Sequence, residues 1–251
     1  MDSLSNLLTV ALPLWKAKPI AWLALESLCR QETTTPWELV IAEENDPGAF
    51  GPDALADYEE RLFAAGCTTV YYKPLSQWIP LGEKWRVLAE MADPASLGFL
   101  LQAADCYSPP RRLEVTGTLL RGGADWVQGD KHILYDLRTR KTVLYDARSV
   151  GQTGSDMATR TKYARQLPPN GPRRYVDKWL LDNVKSVASA KSGFRLAWDP
   201  ENWHHALNVN GTNTISDRAA MFAHPSGAFS PYPLPLDSIV PHDVAERLRC
   251  A

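Results

Sequence analysis

The first half of the chain alternates short apolar runs with amphipathic stretches. That rhythm predicts βαβ units built around a mainly parallel sheet. Leu7–Pro13 is apolar except at Thr9 and is closed by proline, so it reads as a strand buried on both faces. Pro19 can open a helix that puts Ile20, Leu23, Ala24, Ser27 and Leu28 on one face. Trp37–Ala42 is a second strand, running into the polar turn Glu43–Gly48. Asp53–Ala65 is a second helix stopped by Gly66, and Thr68–Tyr72 is a third strand, rich in β-branched and aromatic residues. Lys84–Ala92 is helical up to Asp93-Pro94. Leu97–Leu101 is a fourth buried strand ending at Gln102-Ala-Ala-Asp105. A helix from Arg111 to Leu120 closes at Gly122-Gly123, ahead of a strand over Asp125–Gln128.

Beyond that point the rhythm changes. Lys131–Leu137 and Lys141–Tyr145 predict a hairpin turning at Arg138–Arg140. Ser155–Gln166 reads as a helix with Ser155 at its N-cap. Pro168–Pro172 is a break. Tyr175–Ala188 is helical, with Val176, Leu180 and Val184 on one face. From Trp198 the chain is turn-rich, and its proline-bearing tail is expected to wrap the surface. The boundary between the two rhythms divides residues 1–123 from residues 124–251 within one continuous domain.

The chain has 251 residues, 45% hydrophobic and 22% charged, which is the balance of a globular domain with a substantial core. The apolar stretch Leu7–Trp15 is too short to span a bilayer, and an acid near the start with no basic region argues against a secretory leader. Cys29, Cys67, Cys106 and Cys250 form no Cys-x-x-Cys pair, so reduced thiols and a cytoplasmic location are expected. No Walker A pattern, Gly-x-Gly-x-x-Gly or Gly-x-Ser-x-Gly occurs, which disfavours ATPases, dinucleotide enzymes and α/β-hydrolases.

The net charge of −2 hides an asymmetry. Residues 1–137 hold 11 Lys and Arg against 19 Asp and Glu, whereas residues 138–195 hold 13 against 4. A basic block inside an acidic chain suggests an anionic partner at that block; a solvated face that balances the acidic half is the competing explanation.

Three segments at predicted strand ends carry a resemblance: Val10-Ala-Leu-Pro13, Val40-Ile-Ala-Glu43-Glu44-Asn45, and Leu101-Gln-Ala-Ala-Asp105-Cys-Tyr-Ser-Pro109. Their order resembles the family-2-like GT-A glycosyltransferases. In that family the first strand ends in a proline-containing turn and the second in an Asp-Asp-Gly-Ser-like turn. The fourth ends in an Asp-x-Asp site followed by an aromatic residue and a proline. The likeness holds in register over the first half and only in order of elements over the second. It implies a GT-A α/β fold with a mixed α+β second half, a UDP-sugar-like donor and a hydroxyl acceptor. It further implies an inverting mechanism and a divalent cation, Mn²⁺ or Mg²⁺. Some phage-type enzymes resembling this scheme decorate hydroxymethylated DNA bases, which would suit a polyanionic acceptor such as DNA on the basic block; the alternatives are a saccharide or lipid-linked acceptor, or a catalytically impaired sugar-nucleotide or nucleic-acid binding protein.

The candidate site residues follow from chemistry and from the resemblance. Pro13 borders the donor. Glu43 or Glu44 can accept the imide N–H of uracil. Asp105 can hold a hard cation bridging two phosphates, while Gln102 and Ala104 stand where the family often has carboxylates. Lys84 or Arg86, near a helix N-terminus, can offset diphosphate charge. Asp177, at the start of a predicted helix, matches the family's general base, with Asp156 and Asp182 as rivals. His204 and His205 occupy the region where relatives return a histidine to the metal. Arg160, Lys162, Arg173, Arg174 and Trp179 are expected to meet the acceptor.

Overall fold

The computed structural model describes residues 6–150, 157–173, 175–189, 193–200, 207–210 and 229–250. The apolar run at the start becomes β1 (Leu8–Leu14), followed by α1 (Ala21–Leu28), β2 (Trp37–Glu44), α2 (Gly51–Ala64) and β3 (Cys67–Leu75). Next come α3 (Leu81–Met91), β4 (Gly98–Leu101), β5 (Cys106–Tyr107), α4 (Arg112–Arg121) and β6 (Trp126–Gly129). The second half holds the hairpin β7 (Lys131–Asp136) and β8 (Lys141–Asp146), then α5 (Ala147–Val150), β9 (Met157–Arg160), α6 (Thr161–Ala164) and α7 (Val176–Ser189). It ends with β10 (Leu196–Asp199), β11 (Leu207–Asn210), β12 (Phe229–Pro231) and α8 (His242–Cys250).

A seven-stranded sheet runs in the order β10-β6-β9-β4-β1-β2-β3, and every strand but β9 points the same way. β1 sits between β2 and β4, which is why its sequence is apolar on both faces. Strands from both halves of the chain share this sheet, so residue 123 marks no break in the fold. A second, five-stranded sheet, β12-β8-β7-β11-β5, packs on one side. The core on that side joins α1, α2, α4, α8 and the small sheet, including Leu23, Leu62, Leu120, Ile133 and Val244. The other side packs α3, α6 and α7 through Trp85, Leu88, Tyr163, Leu180 and Val184. Gly66 stops α2 with a φ of 90°, a conformation that side chains disfavour.

Two expectations fail. The helix expected from Ser155 to Gln166 is, over its described part, the strand β9 and the single turn α6. β9 inserts antiparallel between β4 and β6, pairing Thr159 with Phe99 and Trp126, so sheet hydrogen bonds on both edges outweigh local helical pattern. The chain from Trp198, expected to be turn-rich, ends in α8, which buries Val244, Ala245 and Leu248. Its Arg247 lies 4.0 Å over the Trp22 ring.

Candidate active site

The two edges of the large sheet differ in kind. At the amino edge the buried Glu38 accepts hydrogen bonds from Thr9 Oγ1 (2.6 Å) and the Asp93 amide, and Ser96 bonds Thr9 and Thr161. This closed polar network braces the edge. At the carboxyl edge, where ligands of such sheets bind, charged groups from several strand ends converge.

Pro13 and Leu14 end β1 beside Ala42 and Glu43 of β2. Glu43 is buried, and both its oxygens are engaged: the Phe50 and Gly51 amides donate at 2.7 and 3.0 Å, and the Tyr72 hydroxyl at 2.8 Å. It therefore fastens the start of α2 to the sheet. Glu44 is buried against Lys84, with Nζ to Oε2 at 2.6 Å, and Nζ also donates to the Leu14 carbonyl at 2.5 Å. Burial pulls the Lys84 ammonium below its usual range while Glu44 pushes it back up. Two of the three ammonium N–H groups are thus committed at the strand ends. Arg86, the alternative cation, pairs with Glu83 and Glu90 along its own helix.

The loop after β4 is held by Gln102. Its Oε1 accepts from Ser108 Oγ and Arg112, and its Nε2 donates to the Ala103 and Cys106 carbonyls. Gln102 is therefore a brace for the loop that presents Asp105. The Asp105 backbone carbonyl is fixed by the Val209 amide at 2.8 Å. Burial pushes its carboxyl from 3.8 up to about 6, and the Cys106 thiol at 3.6 Å provides only weak support. Among the described residues no group of three His, Cys, Asp or Glu is placed to hold a metal ion.

Asp177 stands in the first turn of α7, and burial raises its carboxyl above the ordinary range. The loop ahead of it is docked on the start of α3: Gly82 N donates to the Pro172 carbonyl at 2.9 Å and Asn170 N to Glu83 at 3.0 Å. Gly82 and Gly171 permit the approach, since a Cβ on Gly171 would lie 2.4 Å from the Gly82 carbonyl carbon. Gly171→Ala is expected to destabilise the fold by about 1–3 kcal/mol, seen as a lower urea midpoint with an unchanged slope.

The basic block does not form one surface. Arg160 and Lys162 lie at the amino edge, far along the strands from Asp105. Arg160 donates to the Leu120 and Ala124 carbonyls and faces Asp125, because β9 runs antiparallel and carries it back. Lys162 lies over Tyr163, and Arg165 binds the Ala92 carbonyl. Arg140 binds the Leu248 carbonyl at the far end of the hairpin, where Lys141, Tyr232 and Leu234 also line a groove of about 920 Å³. Trp179 packs its ring against the core. Arg173 lies 5.5 Å over the exposed Trp78 ring, near the start of α3. Arg160, Lys162 and Trp179, expected together at the acceptor, are therefore not brought to one place. Asp156, Arg174, His204 and His205 lie outside the described residues.

Sequence reasoning passed over a second group at the carboxyl edge. Asp130 follows β6, Tyr145 and Asp146 end β8, Arg148 follows them, and Trp198 and Asp199 end β10. Burial pushes the Tyr145 phenol up to about 12, and the negative charges of Asp177 and Asp146 add to the shift. The signal available in the sequence was polar residues terminating short apolar strands.

The fold is that of GT-A glycosyltransferases of known structure. Among solved structures, the chain is similar to S. aureus TarS 1-349 in complex with UDP-GlcNAc (TM-score 0.60, 12% identity, 82% of this chain and 59% of that one). It is also similar to the mannosyltransferase PcManGT from Pyrobaculum calidifontis in complex with GDP-Man and Mn²⁺ (TM-score 0.53, 16% identity, 80% of this chain and 56% of that one). The chain thus spans less than two thirds of these proteins, and 36% of the longer S. aureus TarS structure. No protein-family model matches it, and neither does any curated protein sequence. Among the described residues no helix is long and apolar enough to cross a membrane.

Proposed function

We propose that this chain is a glycosyltransferase that takes a sugar from a nucleotide-sugar donor and moves it to a hydroxyl acceptor with inversion. The observation that carries this reading is a GT-A sheet together with two carboxylates that burial raises above the ordinary range: Asp105 beyond β4 and Asp177 at the start of α7. Asp177 takes the proton of the acceptor hydroxyl as its oxygen bonds to the anomeric carbon; the bond from that carbon to the diphosphate breaks, and the nucleoside diphosphate leaves with the electron pair. Asp105 and the donor's phosphate oxygens are the groups that would hold a divalent cation, which when bound supplies charge neutralisation for the leaving diphosphate. The complexes of UDP-GlcNAc with TarS and of GDP-Man and Mn²⁺ with PcManGT favour this donor class. A DNA acceptor keeps less support, because the basic block is dispersed and leaves Arg148 and Arg173 on the carboxyl side.

The reading is tested by release of UDP or GDP from UDP-GlcNAc and GDP-Man, with Mn²⁺, Mg²⁺ or EDTA. Asp105→Asn should lower turnover by about two orders of magnitude. The same change should stabilise the metal-free fold. With a folded carboxyl near 6 against an ordinary 3.8, the wild type loses stability as pH rises through that window and carries the full penalty above it. Removing the charge should therefore gain about 1–2 kcal/mol at pH 8, after discounting for partial exposure, and nothing below pH ~4. Full turnover in Asp105→Asn, or no nucleotide release from any donor by the wild type, would reject the assignment, the latter outcome leaving a binding protein.

A further inference from the structure

The donor reading leaves the group around Asp130 without a task. Asp130 is 7% exposed and closes β6 at the carboxyl edge of the sheet. Its Oδ2 lies 3.3 Å from Arg148 Nη2, while its Oδ1 is buried without a hydrogen-bond partner among the described residues. A buried carboxylate oxygen left without a donor costs free energy, so such atoms ordinarily meet a ligand or an ordered water. Arg148 also spreads over the Trp198 ring, 5.5 Å from its centroid. The Arg148 amide donates to Asp146 Oδ1 at 3.0 Å, and the Ala147 amide donates to the Asp130 carbonyl at 2.8 Å, so the end of β8 is tied to the end of β6. Tyr145 pairs with His132 and Asp146 with Lys131 in the hairpin, which places both beside Asp130. Tyr145 in turn senses the charge of Asp177.

We infer that Asp130, Arg148 and Trp198 form a subsite for a neutral saccharide, with Oδ1 of Asp130 accepting a sugar hydroxyl and Trp198 walling the ring. This deepens the glycosyltransferase reading and rests on it, because the subsite lies on the Asp177 side, where an acceptor would stand. The charge balance selects the ligand. Arg148 already neutralises Asp130, so a second cation gains little. Around that pair Lys131 is opposed by Asp146 and Asp199, so an anion is not drawn in either. Hydroxyl donors together with an apolar ring face meet both demands.

The test titrates the whole chain, with and without UDP or GDP, with methyl glycosides of glucose, galactose, mannose and N-acetylglucosamine, and with glucuronic acid as the anionic comparison. Binding is read by saturation-transfer NMR and calorimetry. At least one neutral glycoside should bind, with its affinity falling about tenfold or more in both Asp130→Asn and Trp198→Ala, while UDP affinity stays the same. Thermal unfolding checks both variants, and Trp198→Ala, a change at a half-buried wall, remains decisive if Asp130→Asn misfolds. Equal glycoside binding by the variants, no neutral glycoside binding to the wild type, or a preference for glucuronic acid would overturn the inference. Failure of both UDP and GDP to bind would strike the donor reading instead, and the titrations without nucleotide would still judge the subsite.

Discussion

Replacing Lys84 with methionine is expected to destabilise the fold by about 3–5 kcal/mol, measured by urea unfolding at neutral pH. Lys84 is 2% exposed and Glu44 is 3% exposed, so neither charge has water to fall back on. Methionine fills the volume but withdraws the ammonium from the Glu44 carboxylate at 2.6 Å and from the Leu14 carbonyl at 2.5 Å. What remains for Glu44 is the long contact from the Ile79 amide at 3.4 Å. The loss arises mainly from an uncompensated buried carboxylate, because an ion pair's net contribution is small once desolvation is counted. The double variant Lys84→Met, Glu44→Leu should therefore recover most of the stability lost by the single change. If the single variant loses less than about 1 kcal/mol, the pair is more hydrated than its burial implies. If the double variant is as unstable as the single, the lysine's bond to the β1 carbonyl is what matters.

That ion pair also marks the limit of what the sequence made legible. The alternation of apolar runs and amphipathic stretches was sufficient for β1 to β4, α1 to α4 and the hairpin, because each such element buries a face that its own pattern declares. β9 and β10 were not legible. Met157–Arg160 and Leu196–Asp199 are four residues long, and their strand character comes from neighbours distant in sequence. α8 was hidden by the proline-rich approach, although Val244, Ala245 and Leu248 have helical spacing. In the site, the strand-end positions of Glu43, Glu44, Gln102 and Asp105 were readable. Their partners were not: whether a carboxylate faces a ligand or holds Tyr72 or Lys84 depends on which strands lie side by side. Charge counted along the chain misled for the same reason, since Arg148, Arg160 and Arg173 are neighbours in sequence but are carried to different edges by one antiparallel strand.

Asp177→Asn is expected to lower the rate of sugar transfer by about 10²–10⁴-fold while donor affinity stays within a factor of about two. The substitution keeps the size and the helix-start position but removes the carboxylate that would take the proton. The surroundings suit a base. Burial lifts the Asp177 carboxyl above its ordinary range, so the carboxylate binds a proton more avidly than an exposed aspartate would. Since the shift is upward, transfer by the wild type should decline as pH falls through a value above 3.8, and this acid limb should vanish from the residual activity of the asparagine variant. Asp182 offers a contrast on the same helix. It is exposed and paired with Lys178 at 2.6 Å, so Asp182→Asn should leave both rate and pH profile nearly unchanged. The two variants share helix, charge change and side-chain size, and they differ in whether the carboxylate is buried or exposed. Equal effects of the two would mean that charge near α7, rather than proton transfer at Asp177, governs the rate. A fully active Asp177→Asn with an inactive Asp156→Asn would move the base to Asp156.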